Sequence, residues 1–195
     1  MMSHKYCVFN KLAIRSKTLF TLVLLLCLFA ILSACERRVE PQAQTAVDQA
    51  LIRVYFSPGG GPTAAIVEAL DSAKVSVLVQ AYSFTSAPIA DALRRAHRRG
   101  VDVRVIIDKS QPNQRYTVLT FLQNAGIPVW IDQKHAIAHN KVMVIDENIV
   151  ITGSFNFTKS AEERNAENLL VIQSPSIALE YINNWNKCRE HSAQT

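Results

Sequence analysis

The chain has 195 residues, 49% of them hydrophobic and 19% charged, with four cysteines and a formal net charge of +5. That balance excludes a disordered, collagen-like or disulfide-stapled protein and suits one globular domain behind a short leader. The surplus charge lies in the leader: Lys5, Lys11, Arg15 and Lys17 precede every acid, and from Glu36 onward 17 basic residues face 16 acidic ones. Net charge therefore carries no argument for nucleic-acid binding.

Residues 1–35 form a targeting segment and stand outside the fold. After the basic start, Leu19 to Leu32 is an apolar stretch shorter than the roughly 20 residues that span a bilayer. It ends in Leu32-Ser33-Ala34-Cys35, which resembles the lipobox of bacterial lipoproteins. The resemblance implies cleavage and lipidation at Cys35 and membrane attachment through that lipid. Ordinary secretion with cleavage near Ala34 and an uncleaved signal anchor are the other readings. Glu36 stands where an aspartate would favour inner-membrane retention in enteric bacteria. The expected location is thus the periplasm or cell envelope, preferably the outer membrane. Residues 36–49 serve as a tether and 50–195 as a single catalytic domain. Cys188 is then the domain's one cysteine, and no zinc-spaced Cys or His cluster is present.

Within the domain, Leu51–Phe56 is a strand candidate closed by Ser57-Pro58-Gly59-Gly60-Gly61. The glycines could cradle an anion, but no Lys-Ser/Thr follows, so a tight turn is preferred. A helix opens at Pro62, with Ala65, Ile66, Ala69 and Leu70 on one face. Val75–Tyr82 reads as a buried strand, Ser86 to Arg99 as a helix stopped by Gly100, and Val101–Ile107 as the next strand. Arg94, Arg95, His97, Arg98 and Arg99 make a basic helix end, either a solvated face suited to the helix dipole or a phosphate track. A helix around Tyr116–Asn124, a strand at Ile127–Ile131, a hairpin of Val142–Ile145 and Ile149–Ile151, a strand at Asn168–Ile172 and a helix from Ser176 to about Arg189 complete the order. Strands alternating with helices predict an α/β class: a mixed β-sheet sandwiched by helices on both faces.

The chemistry concentrates in residues 139–156. His139 and Lys141 are two apart, so a strand would send both to one face. Asp146, Gly153, Ser154 and Asn156 follow, with Glu167 beyond. The set supplies a nucleophile or base, a cation, small hydrogen-bonding groups and carboxylates, which suits a phosphate ester. It matches the HxKxxxxD signature with trailing GSxN of the phospholipase D superfamily. Six fixed positions, each met by chance at roughly one in twenty, make a coincidence improbable.

The stretches 56–61, 81–86, 99–104 and 153–158 further resemble the short, single-motif bacterial endonucleases of that superfamily, the Nuc type. Longer relatives carry two motifs in one chain, and single-motif mitochondrial relatives have been assigned cardiolipin and RNA chemistry. The resemblance implies a phospholipase D/nuclease-like fold, a homodimer whose two motifs share one site, no metal and no cofactor. It implies that one His139 attacks phosphorus to give a phosphohistidine while its partner protonates the leaving oxygen. Lys141 and Asn156 would bind the non-bridging oxygens, Ser154 would donate or support, and Glu167 would orient the histidine ring. Asp146 is expected to shape the hairpin turn and pair with basic or hydroxyl groups near the site. His135, four residues before His139, is expected on the same strand face, lining the substrate groove or merely exposed. A metal reading would combine it with Asp132 and His139, a weak ligand set. The preferred substrate is DNA or RNA; phospholipid is the alternative, and non-catalytic binding of anionic polymers by a lipoprotein is the third.

Overall fold

The computed structural model describes residues 50–113 and 118–195. The expected signal peptide, Cys35, the tether of residues 36–49 and the predicted helix start at Tyr116 lie outside these. Among the described residues eight strands form one sheet: β1 Leu51–Ser57, β2 Ser76–Ala81, β3 Asp102–Asp108, β4 Val129–Asp132, β5 Lys141–Ile145, β6 Ile149–Gly153, β7 Glu167–Gln173 and β8 Ala193–Gln194. Their order across the sheet is β1-β7-β6-β5-β2-β3-β4-β8. The β2–β3 and β3–β4 pairs are parallel and the others antiparallel. The parallel pairs need crossovers, and α1 Pro62–Ser72, α2 Ala87–Arg98 and α3 Leu119–Asn124 lie in the connections between the early strands.

Period-two alternation divides the sheet's side chains between two cores. Val77 and Val79 of β2, Val103 and Val105 of β3 and Met143 of β5 face one side, with Ile66 and Leu70 of α1 and Leu93 of α2. Val142, Val144, Val150 and Ile172 face the other, where α5 (Pro175–Glu190) supplies Ala178 and Tyr181. Trp185 of α5 extends this second core against Ile106 and donates its indole N–H to the Val79 carbonyl at 3.0 Å. The sheet is covered on both faces, as the alternation of elements predicts.

Three elements were not foreseen, the first a single 3₁₀ turn at Gln111–Asn113. The short helix α4, Lys159–Glu163, starts where Thr158 Oγ accepts the Ala161 N–H, and the pair β8–β4 is closed by Thr195 N–H to the Val129 carbonyl. Both are too short to show hydrophobic periodicity. The Gly59–Gly61 segment is a tight turn: a side chain at Gly60 would collide with the Phe56 carbonyl. Most of the basic helix end is tied down locally. Arg94 binds Asp91, Arg95 makes a two-pronged pair with Asp71, and Arg99 donates to the carbonyls of Leu70 and Ala73.

Asp146 closes the β5–β6 hairpin. It and Glu147 have φ of 52° and 55°, and Asn148 N–H bonds the Ile145 carbonyl. That is a type I′ turn, which matches the twist of the strands it joins. The carboxylate accepts the backbone N–H groups of Lys74, Val75 and Ser76 at 2.7–3.2 Å, so it pins the start of β2 beside the turn. Its partners are amides, which corrects the expectation of basic or hydroxyl groups. Asp146→Ala should destabilise the protein by about 2–3 kcal/mol, from charge-assisted bonds lost and the left-handed backbone conformation. Asp146→Asn, which tolerates that conformation, should retain part of this. Urea midpoints of the two variants test the difference.

Candidate active site

Four strand ends meet on the edge of the sheet opposite the Asp146 turn. Ala81 ends β2 opposite Lys141, which starts β5; Gly153 ends β6 opposite Leu169, two residues into β7. At this edge His139, Lys141, Gly153, Ser154, Asn156 and Glu167 line one cleft of about 420 Å³. Asp146 lies at the far end of β5, about 16 Å along the strand by its rise, and is no part of the cleft.

Lys141 is 6% exposed. Its ammonium donates to the His139 carbonyl at 2.7 Å, contacts His139 Nδ1 at 2.9 Å and lies 5.0 Å from the Tyr82 ring centre. Burial pushes its pKa below the usual lysine value, and the Glu167 charge in the same cleft acts against that fall. His139 is exposed, and its ring packs on Tyr82 with centroids 4.4 Å apart. Tyr82 N–H binds the Asn140 carbonyl at 2.8 Å, which fixes the backbone beside the histidine. Sequence reasoning missed Tyr82; only the register of β2 against β5 brings it here.

The opposite wall comes from the crossing of β6 and β7. Ser154 Oγ accepts the Asn168 N–H at 3.0 Å, and Ser154 N–H donates to the Asn168 carbonyl. Ser154 is therefore engaged in holding the wall. Gly153 is required there, because a Cβ would collide with that same carbonyl. Asn156 carries a buried side-chain carbonyl oxygen without a hydrogen-bond partner. Glu167 accepts from Asn165 Nδ2 at 3.0 Å. Among the described residues it makes no hydrogen bond to His139, whose ring contacts Lys141 instead.

His135 departs from expectation. Residues 133–140 form a loop, not a strand, so His135 and His139 share no strand face. His135 contacts Asp132 at 2.7 Å and does not line the cleft. Burial pushes the Asp132 carboxyl up, but hydrogen bonds from the His135 ring and backbone outweigh it and hold the group below the usual range. Cys188 is buried as a free thiol in α5.

An imidazole beside a buried ammonium, faced by an amide, a hydroxyl and a carboxylate on a mixed α/β sheet, defines a phosphodiester hydrolase site of the phospholipase D type. Comparison with known proteins agrees. The family model "Cardiolipin synthase, PLD-like domain" matches residues 66–189. A Rickettsia conorii protein named phospholipase D is 45% identical over 134 residues, 69% of this chain and 67% of that one. A phospholipase D family member, Nuc from Salmonella typhimurium, superposes with TM-score 0.72 and 37% identity over 75% of this chain and 99% of its own. NucT from Helicobacter pylori gives 0.69 and 25% over 75% and 100%. The chain belongs to the phospholipase D superfamily, whose reaction is phosphodiester hydrolysis.

Proposed function

We propose that the protein is an exported, metal-independent nuclease that hydrolyses DNA or RNA as a homodimer, through a phosphohistidine on His139. The observation that carries this is the cleft itself: every residue lining it is polar or glycine. Such walls suit a sugar-phosphate backbone better than acyl chains, which ask for an apolar lining.

Each chain offers the cleft one motif histidine, whereas displacement at phosphorus needs an attacker and an acid on opposite sides. A two-fold pair supplies both. Ile52, Val54 and Phe56 support a partner: these apolar side chains alternate along the edge strand β1 and are 51%, 50% and 63% exposed. Phe56 pairs with Asn168, next to Glu167, so this strip runs up to the cleft.

His139 Nε2 attacks phosphorus, the bond to the leaving oxygen breaks, and the partner histidine gives that oxygen its proton. Water then attacks the phosphohistidine, loses a proton to the partner histidine and releases the phosphate ester. Lys141 and Asn156 stabilise the charge on the non-bridging oxygens. The acid is the imidazolium, left neutral as its Nε2 proton leaves; a neutral ring that accepts the Lys141 ammonium on Nδ1 carries its proton on Nε2 and cannot attack through that atom. Attack needs the other tautomer, so the nucleophilic ring exchanges Lys141 for a proton acceptor. We assign that role to Glu167, which lines the same cleft.

Phospholipid is the second reading, supported by the phospholipase D name of the Rickettsia conorii relative and by the lipobox-like leader, which would tether the domain at a membrane through Cys35. Among the described residues no helix is long and apolar enough to cross a membrane. Incubating the purified protein with plasmid DNA, RNA and labelled phospholipid, with and without EDTA, separates the readings. Nucleic acid should be cut in both conditions. Release of lipid head groups alone would overturn the substrate assignment. Activity lost in EDTA from protein that stays folded, and restored by a divalent ion, would overturn the chemistry.

A further inference from the structure

A second cluster lies outside the cleft, where β4 ends. Asp132 is 1% exposed, and its Oδ1 accepts the backbone N–H groups of Lys134 and His135. Its Oδ2 faces two imidazoles: His135 Nδ1 at 2.7 Å and His191 Nε2 at 3.5 Å. The two rings meet edge to face with centroids 5.1 Å apart. His191 Nε2 is buried and has no hydrogen-bond partner. One ligand atom from each of the three residues lies within 4.8 Å of the others.

Tetrahedral zinc holds nitrogen and oxygen ligands at about 2.0–2.2 Å, which spaces them roughly 3.3–3.5 Å from one another. The two separations from Asp132 bracket that spacing, while ligand atoms of the set stand up to 4.8 Å apart, so binding needs the His135 and His191 rings to close on the ion. A single proton between Oδ2 and His135 leaves the His191 nitrogen unsatisfied, whereas one dication would engage all three lone pairs. We propose that Asp132, His135 and His191 bind a transition-metal dication of the zinc type, with a fourth position open to solvent beside the exposed His135.

The placement gives such an ion a structural task. His191 follows α5 directly, and β8 then pairs with β4 through Trp130–Gln194 and Ile131–Ala193. His135 lies near the head of the 133–140 loop that carries His139. That loop is already held by Lys109 Nζ on the His135 carbonyl and by Asp108 on the Ala138 N–H, both residues following or ending β3. A metal at Asp132 fastens the C-terminal segment and the head of this loop to one strand. The ion takes no part in the cleft's chemistry. The sequence pairs Asp132 with His135, but the third ligand lies 56 positions further on, and only the β8–β4 return brings it in.

The test is zinc binding to the full chain after chelator treatment, read by elemental analysis and by ZnCl2 titration against a zinc-responsive dye. One zinc per chain should bind, and saturation should raise the melting temperature by about 5 °C. His191→Ala and His135→Ala should each weaken binding on the order of 100-fold, while His97→Ala and His139→Ala should leave it unchanged. His135 is exposed, so its variant keeps the test open if His191→Ala fails to fold. No saturable binding below about 100 µM zinc overturns the proposal, a limit far weaker than structural zinc sites show. So does loss of binding in His139→Ala alone, which would place the ion in the cleft.

Discussion

His139→Ala should lower phosphodiester cleavage at least about 10⁴-fold, because loss of the attacking group in a covalent mechanism removes the reaction path itself. The fold should survive. His139 is exposed, and its ring gives up only the packing on Tyr82 and the contact with Lys141. A surface change of this kind moves stability by about 0.5 kcal/mol. Mixing the variant with an equal amount of wild type gives a second readout. If each chain worked alone, about half the activity would remain. If one phosphorus needs two copies of His139 across a two-fold axis, random exchange should leave about a quarter, with near-inactive heterodimers. A variant as active as its parent would sink the scheme, and a mixture at one half would sink the shared site while sparing the nucleophile.

How far the sequence could go is visible in particular residues. The cleft residues His139, Lys141, Ser154 and Asn156 were legible, because the motif spaces them on strand ends that a hairpin must bring together; Glu167, on β7 and outside the motif, was reached through the family resemblance alone. The strands of both cores were legible too, β2 and β5 as near-continuous apolar runs and β3 by the alternation of Val103, Val105 and Ile107. Asp146 was recognisable as a turn residue but not as the anchor of β2, because its amide partners lie some 70 residues away in sequence. His135 was misplaced by extending strand geometry into residues 133–140. Asp132 and Asp108 hold that loop through backbone N–H groups, and an Asp that caps a loop looks in sequence like any other Asp. Tyr82 and His191 depended on register and on the C-terminal return, which no local pattern announces.

Lys141→Met should separate function from stability. In catalysis the ammonium is an electrostatic stabiliser, and its removal should lower kcat on the order of 10²–10³-fold. For the fold it is a burden: all five residues of β5 are buried, and Lys141 keeps only 6% of its surface. Its ammonium has the His139 carbonyl and ring nitrogen as hydrogen-bond partners, with no carboxylate in direct contact among the described residues. Methionine of similar length removes the desolvation cost and should stabilise the domain by about 1 kcal/mol, a rise of roughly 2–4 °C. The pH dependence follows from the lowered pKa. Below the folded-state value both folded and unfolded chains carry the proton, and the cost of burying the charge is present in full. As pH rises through that value toward the ordinary 10.5, the folded chain releases its proton first and the wild type regains stability. The variant's advantage should therefore be largest near neutral pH and shrink in alkali. Melting temperatures at pH 7 and pH 10, with kcat at pH 7, measure both halves. A variant that loses activity and stability together would assign Lys141 to the scaffold of the strand, not to the charge on the phosphate.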